Sequence, residues 1–134
     1  MSSNVTGTMK GTVTNVSTGT VKAFESNGVG RHNHESHLNV WGDQSSPWET
    51  IAFALSDENA PSKEYKVGEG EVLNLFYVVQ PFGPQVTAVS GTINLQNHSP
   101  EPRINGVLEF DGYLPSSEKI HVSAVFAIEG IDPA

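Results

Sequence analysis

From residue 119 to residue 128 the chain alternates with a period of two. Ile120, Val122, Ala124, Phe126 and Ile128 interleave with Lys119, His121, Ser123, Val125 and Ala127. Successive side chains of an extended chain leave opposite faces. This spacing therefore gathers five apolar groups on one side of a strand, whereas a helix would scatter them around its axis. Val125 and Ala127 keep the second face partly apolar, which predicts a central strand rather than an edge. In residues 71–79, Val72, Phe76 and Val78 fall on one face and Leu73, Leu75, Tyr77 and Val79 on the other, the pattern of a strand covered on both sides. Residues 85–95 read as one strand with Val89, Gly91, Ile93 and Leu95 facing inward, and residues 103–110 as another with Ile104, Gly106, Leu108 and Phe110. Segments 9–16, 18–25 and 38–41 read as shorter, more polar strands, with one further short piece at 65–67.

Thirteen glycines and eight prolines, spread at short intervals, leave little room for helices of ordinary length. Asn27-Gly28 is a hairpin signal, because both residues accept positive φ. Asp111-Gly112 followed by Pro115-Ser116-Ser117 links the last two strands. Pro81-Phe82-Gly83-Pro84 and Ser99-Pro100-Glu101-Pro102 interrupt pairing, since proline donates no ladder hydrogen bond. The expectation is an all-β chain. It comprises one domain over residues 1–134, folded as an antiparallel β-sandwich of jelly-roll type or a flattened barrel of about seven to nine strands. Its core is expected to draw on Val72, Phe76, Val78, Val89, Ile93, Leu95, Leu108, Phe110, Ile120, Val122, Phe126 and Ile128. Residues 47–56 carry two patterns. Ser46-Pro47-Trp48-Glu49 resembles a helix cap, and Trp48, Ile51, Ala52 and Leu55 then fall at helical spacing. Ile51, Phe53 and Leu55 equally form one face of a strand. The strand is preferred for its Thr, Ile and Phe; the alternative is one short helix.

The chain has no cysteine, which excludes disulfide scaffolds, Cys-ligated metals and thiol chemistry. Seven Lys and Arg against fifteen Asp and Glu give a formal charge of −8, which speaks against nucleic acid and anionic membranes as partners. The first residues lack the basic start and apolar run of a signal peptide, so a cytoplasmic location is expected. Asp57-Glu58-Asn59, in the acidic loop 57–70, lacks the spaced ligands and glycine of a calcium loop. A Gly-x-Ser-x-Gly elbow, a phosphate-cradling loop and a His-Glu-x-x-His helix are likewise missing.

Residues 31–37, Arg-His-Asn-His-Glu-Ser-His, place three of the five histidines close together. Imidazole is the commonest transition-metal ligand. In a strand, His32 and His34 share a face, and His37 joins them only if a bulge or turn intervenes. The alternative is a polar, solvated loop. The His-x-His pattern after a glycine-containing turn resembles the first motif of the cupin family. That resemblance implies a metal-dependent enzyme with His32, His34 and His37 around a divalent transition metal. Leu38 and Asn39 stand where the family carries a glutamate. Glu109 and Asp111, two apart on a strand, could pair as carboxylates, or simply face solvent beside a Leu108/Phe110 core face.

Trp41-Gly42-Asp43-Gln44 and the nearby Trp48 suggest another chemistry. Aromatic planes stack on the C–H faces of sugars while carboxylates and amides hydrogen-bond the hydroxyls. The favoured expectation is a non-enzymatic binding module for carbohydrate, contacting it through Trp41, Asp43, Gln44 and Trp48, with both tryptophans as core closures in the structural alternative. A further alternative is a structural protein that binds another protein or self-associates through strand edges. The segments Ser90-Gly91-Thr92-Ile93, Gly106-Val107-Leu108-Glu109-Phe110 and Lys119-Ile120-His121-Val122 resemble small bacterial β-sandwich domains of uncharacterised function. That resemblance implies the architecture and no site.

Overall fold

The computed structural model describes residues 5–45, 48–81 and 83–131. The period-two segments become β1 (Thr6–Asn15), β2 (Thr20–Glu25), β3 (Gly28–His34), β4 (His37–Gln44), β5 (Glu49–Leu55), β6 (Lys63–Lys66), β7 (Val72–Val79), β8 (Gln85–Thr87), β9 (Ser90–Asn97), β10 (Arg103–Tyr113) and β11 (Lys119–Glu129). They pair antiparallel in two sheets, a six-stranded one in the order β2-β1-β11-β10-β9-β6 and a five-stranded one in the order β3-β4-β5-β7-β8. No described residue is helical, and none of the described segments is a helix able to cross a membrane. The all-β sandwich expected from the periodicity is therefore the observed architecture, with more strands than the spacing suggested.

Strand β11 occupies the interior of its sheet, between β1 and β10, as its two apolar faces require. Its inner residues Ile120, Val122, Ala124, Phe126 and Ile128 are all buried. Across the sandwich Phe126 meets Phe53 of β5 with ring centroids 5.4 Å apart and planes tilted by 51°, an arrangement favoured by the ring quadrupoles. Residues 47–56 resolve in favour of the strand: Ile51, Phe53 and Leu55 face inward, all 1% exposed or less. Ser46 and Pro47, half of the expected helix cap, lie outside the described residues.

Three expectations are corrected. Asn27-Gly28 does not make a hairpin: β2 and β3 belong to different sheets, and the dipeptide carries the chain from one to the other. Asn27 is held there by side-chain acceptance from Ser45 N–H and by its own N–H to Asp43 O. Residues 85–95 are two strands, β8 and β9, because the chain changes sheets at Ala88 and Val89; Val89, expected in the core, is 61% exposed. Phe76 and Val78 pair with Ala52 and Thr50 on the outer side of the five-stranded sheet, whereas Leu75 and Tyr77 point inward. Val72, beyond a register shift at Ala54 and Leu55, is half-buried and packs against the core as expected. Alternation fixes which residues share a face but not which face is covered.

The sheet edges carry devices that discourage strand addition. β6 and β8 are short, with four and three residues. β2 turns Lys22 inward and β3 turns Arg31 inward, and an inward charge on an edge strand opposes edge-to-edge pairing. Arg31 is 4% exposed, its Nε and Nη1 lack a hydrogen-bond partner among the described residues, and burial pushes its proton affinity down.

Candidate binding face

Strand β4 sorts its residues by parity. Leu38 and Val40 turn into the core, while Asn39, Trp41 and Asp43 leave the sheet on its outer side. In register with Trp41 lie Gly30 of β3 and Ala52 of β5, and beyond Ala52 lies Phe76 of β7. One row across four strands therefore reads Gly, Trp, Ala, Phe. The two small residues give the aromatics room. A Cβ on Gly30 would sit 2.0 Å from Trp41 Cζ2 and 2.2 Å from Cε2, so the indole rests directly on the Gly30 backbone. Trp41 and Phe76 are each half-buried in this position.

The adjacent row pairs Asp43 with Thr50 and Thr50 with Val78. Thr50 Oγ1 donates to Asp43 Oδ1 at 2.5 Å, and Gln80 Nε2 donates to Thr50 Oγ1 at 3.0 Å. Gln80 N–H in turn donates to Trp48 O at 2.9 Å. Trp48, 53% exposed, thus begins at the end of the face where the polar chain runs. The structure brings Trp41, Asp43 and the Trp48 backbone into one neighbourhood and adds Phe76, Thr50 and Gln80. Gln44 is separated from them. One residue past Asp43, it turns to the inner side, where its Oε1 accepts Glu25 N–H at 2.7 Å and its Nε2 lies 3.5 Å from Glu49 Oε2.

The histidines form the other end of the same outer face. Residues 31–37 are not a solvated loop but the end of β3, a tight turn and the start of β4. Glu35 and Ser36 take positive φ, 53° and 67°, and this two-residue reversal sets His37 opposite His34. Residues opposite one another in a ladder share a face, so the turn brings His37 to the side of His32 and His34. His32 and His34 stack at 5.7 Å with planes 21° apart, and His34 Nε2 lies 3.7 Å from Glu35 Oε1. Among the described residues no group of three His, Cys, Asp or Glu is arranged to hold a metal ion.

One ionisable cluster escaped the sequence reading, and a second was foreseen only in part. Glu49 is fully buried on the inner side of β5; it accepts a hydrogen bond from Tyr77 OH and faces Lys22 Nζ at 3.1 Å. Its only advance sign was an acid at an inward position of an apolar strand. On the outer face of the six-stranded sheet, His121 Nδ1 meets Asp111 Oδ1 at 2.9 Å and Nε2 lies 4.0 Å from Glu109 Oε2. The two carboxylates suspected as a pair thus flank an imidazole.

Burial, then the hydrogen bond to Glu49 and its negative charge, push the Tyr77 phenol well above the ordinary tyrosine range. Burial, followed by the charges of Glu71 and Asp57, pushes Tyr65 up to about 12. A phenol whose folded pKa exceeds its unfolded value contributes stability that is complete below about pH 10 and is lost as pH rises through the folded value. Alkaline titration followed at 295 nm should show these two phenolates forming only together with unfolding, between about pH 10 and 12. Reversible ionisation of all three tyrosines in the folded protein would contradict the burial.

Comparison of the chain with protein-family models, with curated proteins and with solved structures finds no match, so its assignment rests on its own geometry.

Proposed function

We propose that the outer face of the five-stranded sheet is a non-enzymatic carbohydrate-binding surface. The observation that carries this reading is the Trp41 indole, seated on Gly30 and half-exposed, one row away from the Asp43–Thr50–Gln80 chain. An indole laid on a sheet offers a rigid apolar plane to the C–H face of a sugar ring. Asp43 Oδ2, which has no partner among the described residues, is available to accept from a hydroxyl. Phe76 across Ala52 extends the platform to a second ring, and Trp48 supplies an exposed aromatic at its end. Gln44 has no part in it.

A glycan array on the purified protein tests the class, and absence of binding across all glycans would remove it. Trp41→Ala is then expected to weaken the best glycan by about thirtyfold, the scale of losing a buried tryptophan anchor of about 2 kcal/mol. Gly30→Ala is the finer probe. Its methyl meets a side chain able to swing away, so the fold should lose only about 1 kcal/mol while the displaced indole weakens binding roughly tenfold. Unchanged affinity in Gly30→Ala would place the sugar elsewhere.

A second reading, a metal-dependent enzyme, draws on the turn that sets His32, His34 and His37 on one face. Metal analysis of untagged protein and thermal shifts with zinc or nickel test it; no bound metal and no shift would remove it.

A further inference from the structure

The two sheets part at one end of the sandwich, where the β1–β2, β7–β8 and β10–β11 turns meet, and leave a cavity of about 320 Å³. Its walls are largely apolar, with Val13 and Ile120 from the six-stranded sheet, Val79 and Pro84 at the end of the five-stranded one and Leu114 from the last turn, while Asn15, Thr18 and Thr20 line it on the side of the β1–β2 turn. One corner is polar. Lys22 reaches across from β2, donating to Tyr77 OH at 2.8 Å and standing 3.1 Å from Glu49 Oε1. Tyr77 OH donates to that same buried carboxylate.

The corner can be accounted for group by group. An ammonium has three N–H donors. Glu49 and Tyr77 take two of them, and the third has no partner among the described residues. Lys22 is 45% exposed in its side chain, whereas Glu49 is at 0%. The charge of Lys22 is balanced by Glu49, so the corner as a whole is close to neutral yet still presents an N–H donor to the cavity. A ligand carboxylate would meet that donor only by approaching Glu49 as well. A ligand ammonium would meet the like charge of Lys22, with only the neutral Asn15, Thr18 and Thr20 side chains of the β1–β2 end to accept from it. An uncharged oxygen on a hydrocarbon body meets both the donor and the apolar walls.

We propose that this inter-sheet cavity binds a small uncharged amphiphile, an aliphatic or cyclic alcohol or ketone, with its oxygen on Lys22 and its hydrocarbon against Val13, Val79, Leu114 and Ile120. The site is independent of the outer face and of any carbohydrate bound there. Pockets at the mouths of β-structures commonly combine a few placed polar groups with an apolar lining in this way.

The test uses the full chain and three probes of one length, hexan-1-ol, hexanoate and hexylammonium, followed by methyl chemical shifts in NMR spectra. Hexan-1-ol should produce saturable shifts at the Val13, Val79, Leu114 and Ile120 methyls, with hexanoate and hexylammonium each at least about tenfold weaker. Lys22→Met should weaken hexan-1-ol by about tenfold. Because that variant is expected to lose stability, Leu114→Trp serves as a second one: it fills the cavity without touching the polar corner and should abolish the shifts. Equal or tighter binding of hexanoate, no saturable shift with hexan-1-ol, or an unchanged response in Leu114→Trp would each overturn the proposal.

Discussion

Gly11→Ala and Gly106→Ala are each expected to destabilise the protein by about 4 kcal/mol or more, enough to lower Tm by more than about 10 °C or to prevent folding. Gly11 of β1 lies between Phe24 of β2 and Ala124 of β11. A Cβ there would stand 1.8 Å from Ser123 O and 2.6 Å from Ala124 Cα. At Gly106 of β10 it would stand 2.0 Å from Asn94 O. In both places the obstacle is the backbone of the neighbouring strand. No rotamer change relieves it, and the ladder must part at the centre of the six-stranded sheet. Gly28→Ala is the control: nothing lies within 4 Å of its Cβ, so Tm should stay within a few degrees of wild type or rise slightly. Thermal melts followed by circular dichroism decide the matter. A Gly11→Ala protein melting with the wild type would mean that β1 and β11 do not pair in this register.

Lys22→Met should destabilise by about 2–3 kcal/mol at neutral pH, and Glu49→Gln by only about 1 kcal/mol. The asymmetry follows from burial. Removing Lys22 leaves a carboxylate at 0% exposure with hydrogen bonds but no counter-charge, the expensive way to break a buried pair. The figure lies below that for a fully buried pair because Lys22 is 45% exposed and partly solvated. Removing the charge of Glu49 instead leaves a lysine that can extend into water, and a glutamine that can still accept from Tyr77. The double variant should regain at least half of the Lys22→Met loss, since no unpaired charge remains. Denaturant melts of the four proteins complete the cycle. Equal losses in the two single variants, or simple additivity in the double, would show that Lys22 and Glu49 do not act as a coupled pair.

These two expectations mark how legible the chain was. The backbone class could be read directly, because five alternating apolar residues in β11 admit no other element. Ile93, Leu95, Leu108 and Phe110 were identified as core by the same alternation, and the structure buries all four. Val89, Phe76 and Val78 were misplaced for a common reason. A local period of two is indifferent to a change of sheet at Ala88 and to which side of β7 the second sheet covers. Of the candidate site, Trp41 and Asp43 were legible as a pair of residues two apart on one strand. Phe76, Thr50 and Gln80, which complete the face, come from the middle of β7, from β5 and from the residue after β7, and were invisible until pairing set them beside β4. His37 was expected to need a turn to join His32 and His34, and Glu35 and Ser36 provide it without glycine.

By itself the sequence determined that the chain would be built of antiparallel strands, free of disulfides, with its side chains sorted by alternation onto common faces. Those properties depend on side-chain alternation and residue chemistry, which are local. Only the tertiary structure decided that β2 and β3 part into different sheets, that Phe76, Thr50 and Gln80 join Trp41 and Asp43 on one face, and that Lys22 meets Glu49 and Tyr77 across the sandwich. Each of these depends on which distant segments are brought side by side. That choice is made by the packing of whole sheets, on which a window of ten residues carries no information.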